Sequence, residues 1–384
     1  MDEFVWVFLV PALNEELTIR DSVERLLSIP VARRVIVVVD DGSDDGTADI
    51  LRGLEAEADV RVVRRDLPSA RTGKAAALNH AYRQLPGLLG DVDHADVVVA
   101  IVDADGRLHP HAPAHAARLF GDPVVGGVQS LVRIYNRKQL LTWFQDVEFS
   151  VYGYLYQAGR NDWGTAGMGG NGQFNRLAAL DDVADADGPW RDRLTEDQDL
   201  GLRLIAAGWQ GRQALRATVD QQGLPSLRRL FKQRTRWSQG NIQAMALMGP
   251  VTRAPFPLVA RIELVAYLLM PVWQGIIGLS FATAVALAIL DVAPFWAAGP
   301  TLLLLVFYLL AFGGSVLGCI AARRSAGPRG WIAGFLIGNV YAVYTWFLWP
   351  VLFRSATRQL LRKHDWTKSE REPVDAATPP TVAT

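Results

Sequence analysis

Two hydrophobic rhythms divide the chain. Over the first 225 residues, short apolar runs rich in β-branched residues recur: VWVFLV (5–10), VIVVV (35–39), VRVV (60–63) and VVVAIV (97–102). Runs of this length and type read as parallel strands buried on both faces. Helical spacing lies between them. Leu17, Val23, Leu26 and Leu27 follow Asn14, a good N-cap, and TADILRGLEAEA (47–58) follows the second strand. Strand and helix in alternation predict an α/β doubly wound, mostly parallel sheet, whose ligands gather beyond the carboxyl ends of the strands.

Further along, the rhythm gives way to long apolar stretches. Residues 264–290, 292–322 and 330–353 contain no Asp, Glu, Lys, Arg or His, and each exceeds the ~20 residues that a membrane-spanning helix needs. Four segments follow: a soluble domain at 1–225, an amphipathic interfacial segment at 226–260, a transmembrane region of three helices at 261–353, and a basic, then disordered tail at 354–384. Arg323, Arg324 and Arg329 place the loop between the second and third spans in the cytoplasm, and the soluble domain with it. The expected location is therefore the cell membrane, multi-pass, with the soluble domain cytoplasmic. Three spans would send Arg354, Arg358, Arg362 and Lys363 to the outer face, against the same rule. Either the third segment is re-entrant or the tail tolerates that face. No basic n-region with a cleavage site opens the chain, and 5–10 is too short to span, so no signal peptide is predicted.

Composition changes this picture little. The 39 Lys and Arg balance the 39 Asp and Glu, so no net field points to nucleic acid or to acidic partners, and charge must act locally. The single Cys319 excludes an intramolecular disulfide and, inside an apolar stretch, reads as a buried, inert thiol.

Local charge concentrates at the strand ends. PALNEE (11–16) follows the first strand, DDGSDDGT (40–47) the second and DADG (103–106) the fourth. Asp, Gly and Ser are ordinary turn formers, so each cluster alone has a plain reading. Three acidic clusters on one sheet edge would repel one another unless a cation or a hydrogen-bonding ligand compensates. An EF-hand starting at Asp41 fails, because Arg52 stands at the twelfth position, where a Glu is needed. A P-loop at PSARTGKA (68–75) fails because Pro68 replaces the first Gly and Ala75 the Ser or Thr. Lys74 remains a phosphate-side cation. Asp103 and Asp105 offer paired hard oxygens that suit Mg²⁺ or Mn²⁺ on a diphosphate. His109, His111 and His115, loosely spaced among prolines, read as a loop and not as a zinc site.

Two later stretches add candidates. In RLTEDQDLGLRLIAAGWQG (193–211), Thr195 and Gln198 fit a capping box, with Glu196 and Asp197 in the first helical turn. Acids favour that turn because of the helix dipole; Asp197 aimed into a cleft would instead be a general base. Both readings stay open. SLRRLFKQRTRWSQGNIQAMALM (226–248) is basic at Arg228, Arg229, Lys232, Arg234 and Arg236 and apolar at Leu227, Leu230, Phe231 and Trp237. It reads as an interfacial helix on anionic lipid headgroups. Arg236 and Trp237 can also close over a site, guanidinium on diphosphate and indole against a sugar.

VPALNEE, VVVDDGSDDGT, GKAAALN, DAD, TED and QRTRW occur in this order between residue 7 and about 245. Together they resemble the family 2 glycosyltransferases, in the membrane-embedded branch of cellulose, hyaluronan and chitin-oligosaccharide synthases, whose Q-x-x-R-W fits 233–237. The resemblance implies a GT-A type fold, with Ala12, Glu15, Asp40 and Asp41 at the nucleotide and Lys74 at the nucleotide or diphosphate. Asp103 and Asp105 would serve the ribose and a Mg²⁺ or Mn²⁺ ion. Asp197 would be the base, beside Glu196, while Gln233, Arg236 and Trp237 would frame diphosphate and acceptor. GGNGQFNR (169–176) is also similar to enzymes that glucosylate diacylglycerol, and the amino-terminal membrane helix of many polymerases is missing. The implied reaction is an inverting transfer of a hexosyl unit from a UDP-sugar to a membrane lipid, giving a β-glycoside. Polysaccharide synthesis, by an oligomer or with a partner subunit, is the alternative. It is disfavoured because the spans offer few polar side chains beyond Gln274 and Asn339 to line a channel. A non-catalytic nucleotide-binding scaffold would need no acid at the acceptor side.

Overall fold

The computed structural model describes residues 3–290 and 301–363. Its sheet domain is built from β1 (Val5–Ala12), α1 (Ile19–Leu27), β2 (Arg34–Asp40), α2 (Thr47–Glu57), β3 (Val60–Arg64), α3 (Lys74–Tyr82), α4 (Leu85–Leu89), β4 (Val97–Ile101), β5 (Arg107–Leu108), α5 (Ala112–Phe120), β6 (Val125–Ile134), α6 (Leu140–Val151), β7 (Gln173–Arg176), α7 (Leu177–Val183), α8 (Glu196–Ala207) and β8 (Gln210–Gln221). Helices alone follow: α9 (Leu227–Ala244), α10 (Met248–Thr252), α11 (Leu258–Leu268), α12 (Met270–Ile289), α13 (Thr301–Arg323), α14 (Gly327–Phe347) and α15 (Pro350–Leu360).

The eight strands form one mixed sheet in the order β3-β2-β1-β4-β7-β6-β8-β5. β3, β2, β1 and β4 are mutually parallel; β7 runs antiparallel between β4 and β6, and β8 is parallel to β6. All four strands anticipated from apolar runs are present. Their unbroken hydrophobicity is used on both faces: Trp6, Phe8 and Val10 enter one core with Val98 and Phe174, while Val5, Val7 and Leu9 enter the other with Val37 and Val99.

Two helix starts differ from expectation. α1 begins at Ile19 behind Thr18, not behind Asn14. Asn14 instead adopts the left-handed conformation (φ 53°), which Asn tolerates, and donates its amide to Asp44 at 2.6 Å. Leu17 is consequently half exposed, and Ile19, Val23 and Leu26 make the buried face. Thr195 does precede α8, but its hydroxyl bonds the Gln198 side chain at 3.2 Å and caps no backbone group.

Among the described residues, two helical stretches are long and apolar enough to cross a membrane, 270–287 and 305–360; the second holds α13, α14 and α15. The anticipated span 264–290 is divided between α11 and α12, and 291–300 lie outside the described residues. Ile276, Leu279, Leu309, Leu310, Leu336 and Val343 are each more than half exposed, an apolar surface suited to lipid and not to water. α13 and α14 approach closely at glycines: a Cβ at Gly334 would stand 2.7 Å from the Ile320 Cα, and one at Gly338 2.5 Å from the Val316 Cα.

α15 runs back along α12, with the Trp349 indole donating to the Gln274 carbonyl at 3.1 Å, and then packs on α9. There the Ser238 and Ser355 hydroxyls meet at 2.7 Å and the Gln239 amide donates to the Lys363 carbonyl at 2.9 Å. The basic stretch 354–363 thus lies beside α9. α9 itself is less interfacial than its pattern suggests, because Leu230, Arg234, Thr235, Gln239 and Gly240 are buried. Arg228 and Lys232 stay exposed, whereas Arg234 turns inward onto Glu148.

Candidate functional site

The carboxyl ends of β1, β2 and β4, the first turn of α8 and one side of α9 enclose a cleft of about 210 Å³. Ala12, Glu15, Asp41, Lys74 and Asp103 line it from the sheet side. Glu196 and Asp197 from α8, with Gln233, Arg236 and Trp237 from α9, line the opposite side. Asp40 and Asp105 do not line it. Asp40 is buried behind the strand end, accepting from Arg64 at 2.6 Å and from the Ser43 N–H at 2.9 Å. Asp105 is buried in the turn after β4, with its Oδ2 3.4 Å from the Gln222 N–H.

The converging acids are compensated from within the chain. Arg64 pairs with Asp40, Arg65 with Asp41, Arg71 with Asp44 at 2.8 Å, and Lys74 with Asp103 at 2.5 Å. The compensation anticipated for this edge is thus supplied for these four carboxylates by cations of the chain itself. Burial still pushes the Asp41 carboxyl above its ordinary range, partly offset by Arg65. Burial works against the Lys74 ammonium, but Asp103 and Glu196 outweigh it and hold the group protonated beyond its usual range.

Across the cleft, Glu196 and Asp197 share the turn that begins α8. Asp197 Oδ1 accepts from the Gln198 N–H at 2.8 Å, and Glu196 lies 3.8 Å from the Lys74 ammonium. Burial first, and Asp197 second, push the Glu196 carboxyl up to about 7. Burial also raises Asp197, against the pull of Lys74. Gly170, at φ +78°, lets the backbone come close: a Cβ there would stand 2.8 Å from Asp197 Oδ2. Gly240 does the same for helix packing, since any side chain would collide with Thr195, and so α9 lies directly on the turn of α8. The Trp237 ring meets Phe149 edge-on at 6.2 Å and carries the Arg234 guanidinium 4.2 Å above it. Glu148 grips that guanidinium with both oxygens, at 2.7 and 3.0 Å. This fixes the α9 face that presents Gln233 and Arg236.

Sequence reasoning missed several of these groups. The loop 169–171, singled out above only for its resemblance, lines the cleft, and Asn171 Oδ1 accepts from the Asp103 N–H at 3.1 Å. Arg64 and Arg65 were signalled by RRD at the end of the third strand, on the same edge as the acids. Glu148 and Phe149 carry no local signal.

Among the described residues no three His, Cys, Asp or Glu side chains gather around one point. Of the two carboxylates that follow β4, Asp103 lines the cleft and fits the donor chemistry of Mg²⁺ or Mn²⁺, which commonly take one or two carboxylates and complete their shell with phosphate and water, and Asp105 is buried behind it.

Comparison with known proteins agrees with the geometry. Residues 6–240 match the family described as glycosyltransferase like family 2. The β-monoglucosyldiacylglycerol synthase of Trichormus variabilis is 33% identical over 61% of this chain and 48% of its own length. The poly-β-1,6-N-acetyl-D-glucosamine synthase of Staphylococcus epidermidis is 28% identical over 68% of this chain and 59% of its own. The chain thus spans about half the length of the curated relatives it matches. A solved mannosyltransferase from Pyrobaculum calidifontis, in complex with GDP-Man and Mn²⁺, superposes with a TM-score of 0.60 over 93% of this chain and 87% of that one. Its 18% identity speaks for the fold alone. The sheet with its cleft is the GT-A fold, and the chain belongs to glycosyltransferase family 2.

Proposed function

We propose that the protein transfers a hexosyl unit from a UDP-sugar to a membrane lipid with inversion, forming a β-glycoside. The observation that carries this reading is one cleft in which two cations, Lys74 and Arg236, face two partly buried acids, Glu196 and Asp197. A donor fits with its nucleotide against Ala12, Glu15 and Asp41 and its diphosphate between Lys74 and Arg236. Asp40 supports this wall from behind through Arg64. Asp103 at the cleft, with Asp105 buried two residues behind it, would hold Mg²⁺ or Mn²⁺, which when bound neutralises charge on the departing diphosphate.

Asp197 accepts the proton of the acceptor hydroxyl while its oxygen bonds to the anomeric carbon and the bond to the diphosphate breaks. One displacement inverts the centre, so an α-linked donor yields a β-linked product. The raised Asp197 carboxyl is a stronger base than an ordinary aspartate. Trp237, steadied by Phe149 and Arg234, offers an aromatic wall to the sugar.

Two observations support a lipid acceptor: the first relatives include glucosyldiacylglycerol synthases, and the helix that lines the cleft packs on helices with lipid-suited surfaces. The membrane is then the cell membrane, with the 1–225 domain on its cytoplasmic face and 226–260 at the interface. Purified protein in liposomes, given labelled UDP-sugars, diacylglycerol and Mg²⁺ or Mn²⁺, tests the reading. Organic-extractable glycolipid, lost on chelation of the metal, is the expected product. A long water-soluble chain would establish the polysaccharide alternative instead.

A further inference from the structure

The turn carrying Glu196 and Asp197 is joined to the membrane side of the molecule by a run of hydrogen bonds that the reaction itself does not require. Gln198, next in the turn, donates through its amide to the Tyr267 hydroxyl at 3.1 Å. Tyr267 belongs to α11, ahead of the first long apolar helix. Its hydroxyl meets that of Tyr152 at 3.3 Å, and Tyr152 in turn accepts from the Gln157 amide at 2.9 Å. The Gln157 side chain then clamps a backbone unit, accepting from the Gly167 N–H at 2.9 Å and donating to the Gly167 carbonyl at 3.3 Å. Three residues on is Gly170, whose backbone presses against Asp197.

Both walls that touch Asp197 are therefore linked through one pair of tyrosine hydroxyls. Residues 152–157 form a π-helical turn within an otherwise α-helical segment, a feature that recurs at functional sites and is costly to keep without a use. The Tyr267 ring is fixed from its other face. The Arg160 guanidinium lies 4.0 Å over its centroid, and Glu263, one turn earlier on α11, holds Arg160 at 2.7 and 3.0 Å. A ring held by stacking, with its hydroxyl held by two partners, has little freedom to swing. That rigidity is what a group setting the place of a base requires.

We propose that Tyr267 is a positioning residue for the base: through Gln198 it sets the turn of Asp197, and through Tyr152 and Gln157 it sets the Gly170 loop opposite. This rests on the glycosyl-transfer reading. The test uses full-length protein in nanodiscs with UDP-glucose and diacylglycerol as probes. Tyr267→Phe keeps the ring and removes the hydroxyl. It lowers kcat per donor-binding site by about tenfold or more, while the donor KM stays within about twofold, because misplacing a base costs rate and not donor affinity. Gln198→Ala gives a similar loss, and the double variant is no worse than the poorer single one, as expected for two members of one linkage. Amide hydrogen exchange adds a readout independent of turnover: 195–200 exchange faster in Tyr267→Phe, and β1 and β4 do not. Additive losses, wild-type kcat, or unchanged exchange at 195–200 would overturn the proposal. If Tyr267→Phe does not fold, Gln198→Ala with the same exchange measurement decides. If the wild-type protein transfers sugar from no UDP-donor, the glycosyl-transfer reading fails by itself, and the exchange arm still tests the link.

Discussion

Asp197 and Glu196 stand side by side in one partly buried turn, yet they carry different expectations. Asp197→Asn keeps the shape and removes the base, so the donor KM should hold while kcat falls ~10²-fold or more; a parallel loss of donor binding would move Asp197 to the donor side. For Glu196, the sign of the pH effect follows from its raised carboxyl. Burial and Asp197 outweigh Lys74 and Arg236, so the folded protein holds this proton more tightly than the unfolded chain, whose carboxyl titrates near 4.5. The resulting stabilisation is present in acid and is lost as pH rises to about 7 and beyond. Glu196→Gln abolishes that loss: relative to wild type it should melt higher at pH 8 and not at pH 4, and an equal shift at both values would refute the assignment. Much of the cleft was legible at this scale, because strand ends in a doubly wound sheet converge and Asp41, Lys74 and Asp103 stood at those ends. What spacing cannot tell is which of two neighbouring acids faces inward. Asp40 and Asp105 were expected in the site, and neither lines the cleft: Asp40 pairs with Arg64, and the Asp105 carboxylate lies 3.4 Å from the Gln222 N–H.

At the scale of elements, the parallel half of the sheet was readable because its strands are apolar on both faces. β6 and β8 were not, for a physical reason. Gln129 interrupts the apolar run of β6, but its side chain is buried, accepting from the Gly169 N–H and donating to the Asn171 carbonyl, both at 2.8 Å, and so holds the cleft loop. A polar residue used this way looks like a solvent-facing one in sequence. α9 misled in the opposite direction: its basic residues read as headgroup ligands, and Arg234 is neutralised by Glu148 from α6. The seat of α9 on α8 can be tested at Gly240, where no side chain fits above Thr195. Gly240→Val should cost ~1–3 kcal/mol of stability, as overpacking does. It should also lower kcat by displacing Arg236 and Trp237. Wild-type melting together with wild-type rate would show that the two helices separate without consequence.

For the whole molecule, the number of crossings was the part hydropathy could not supply, because apolar length carries no direction. The packing of α15 on α9 does carry direction. It sets the basic residues 354–363 beside the helix that lines the cleft. A single cysteine at Lys363, introduced after Cys319→Ser, should react with an impermeant maleimide in inside-out vesicles and not in right-side-out ones; the reverse would refute a cytoplasmic cleft with its tail beside it. The same packing bears on how the gene can be divided. A fragment ending at 225 keeps the sheet but leaves only the α8 part of the opposite wall, since Gln233, Arg236 and Trp237 are gone. A fragment ending at 260 restores that wall but strips Ser238 and Gln239 of the helix they rest on. What resembles an anchor appended to an enzyme is a structural component of it, and anyone seeking a soluble, crystallisable version must replace α15 and not merely remove it.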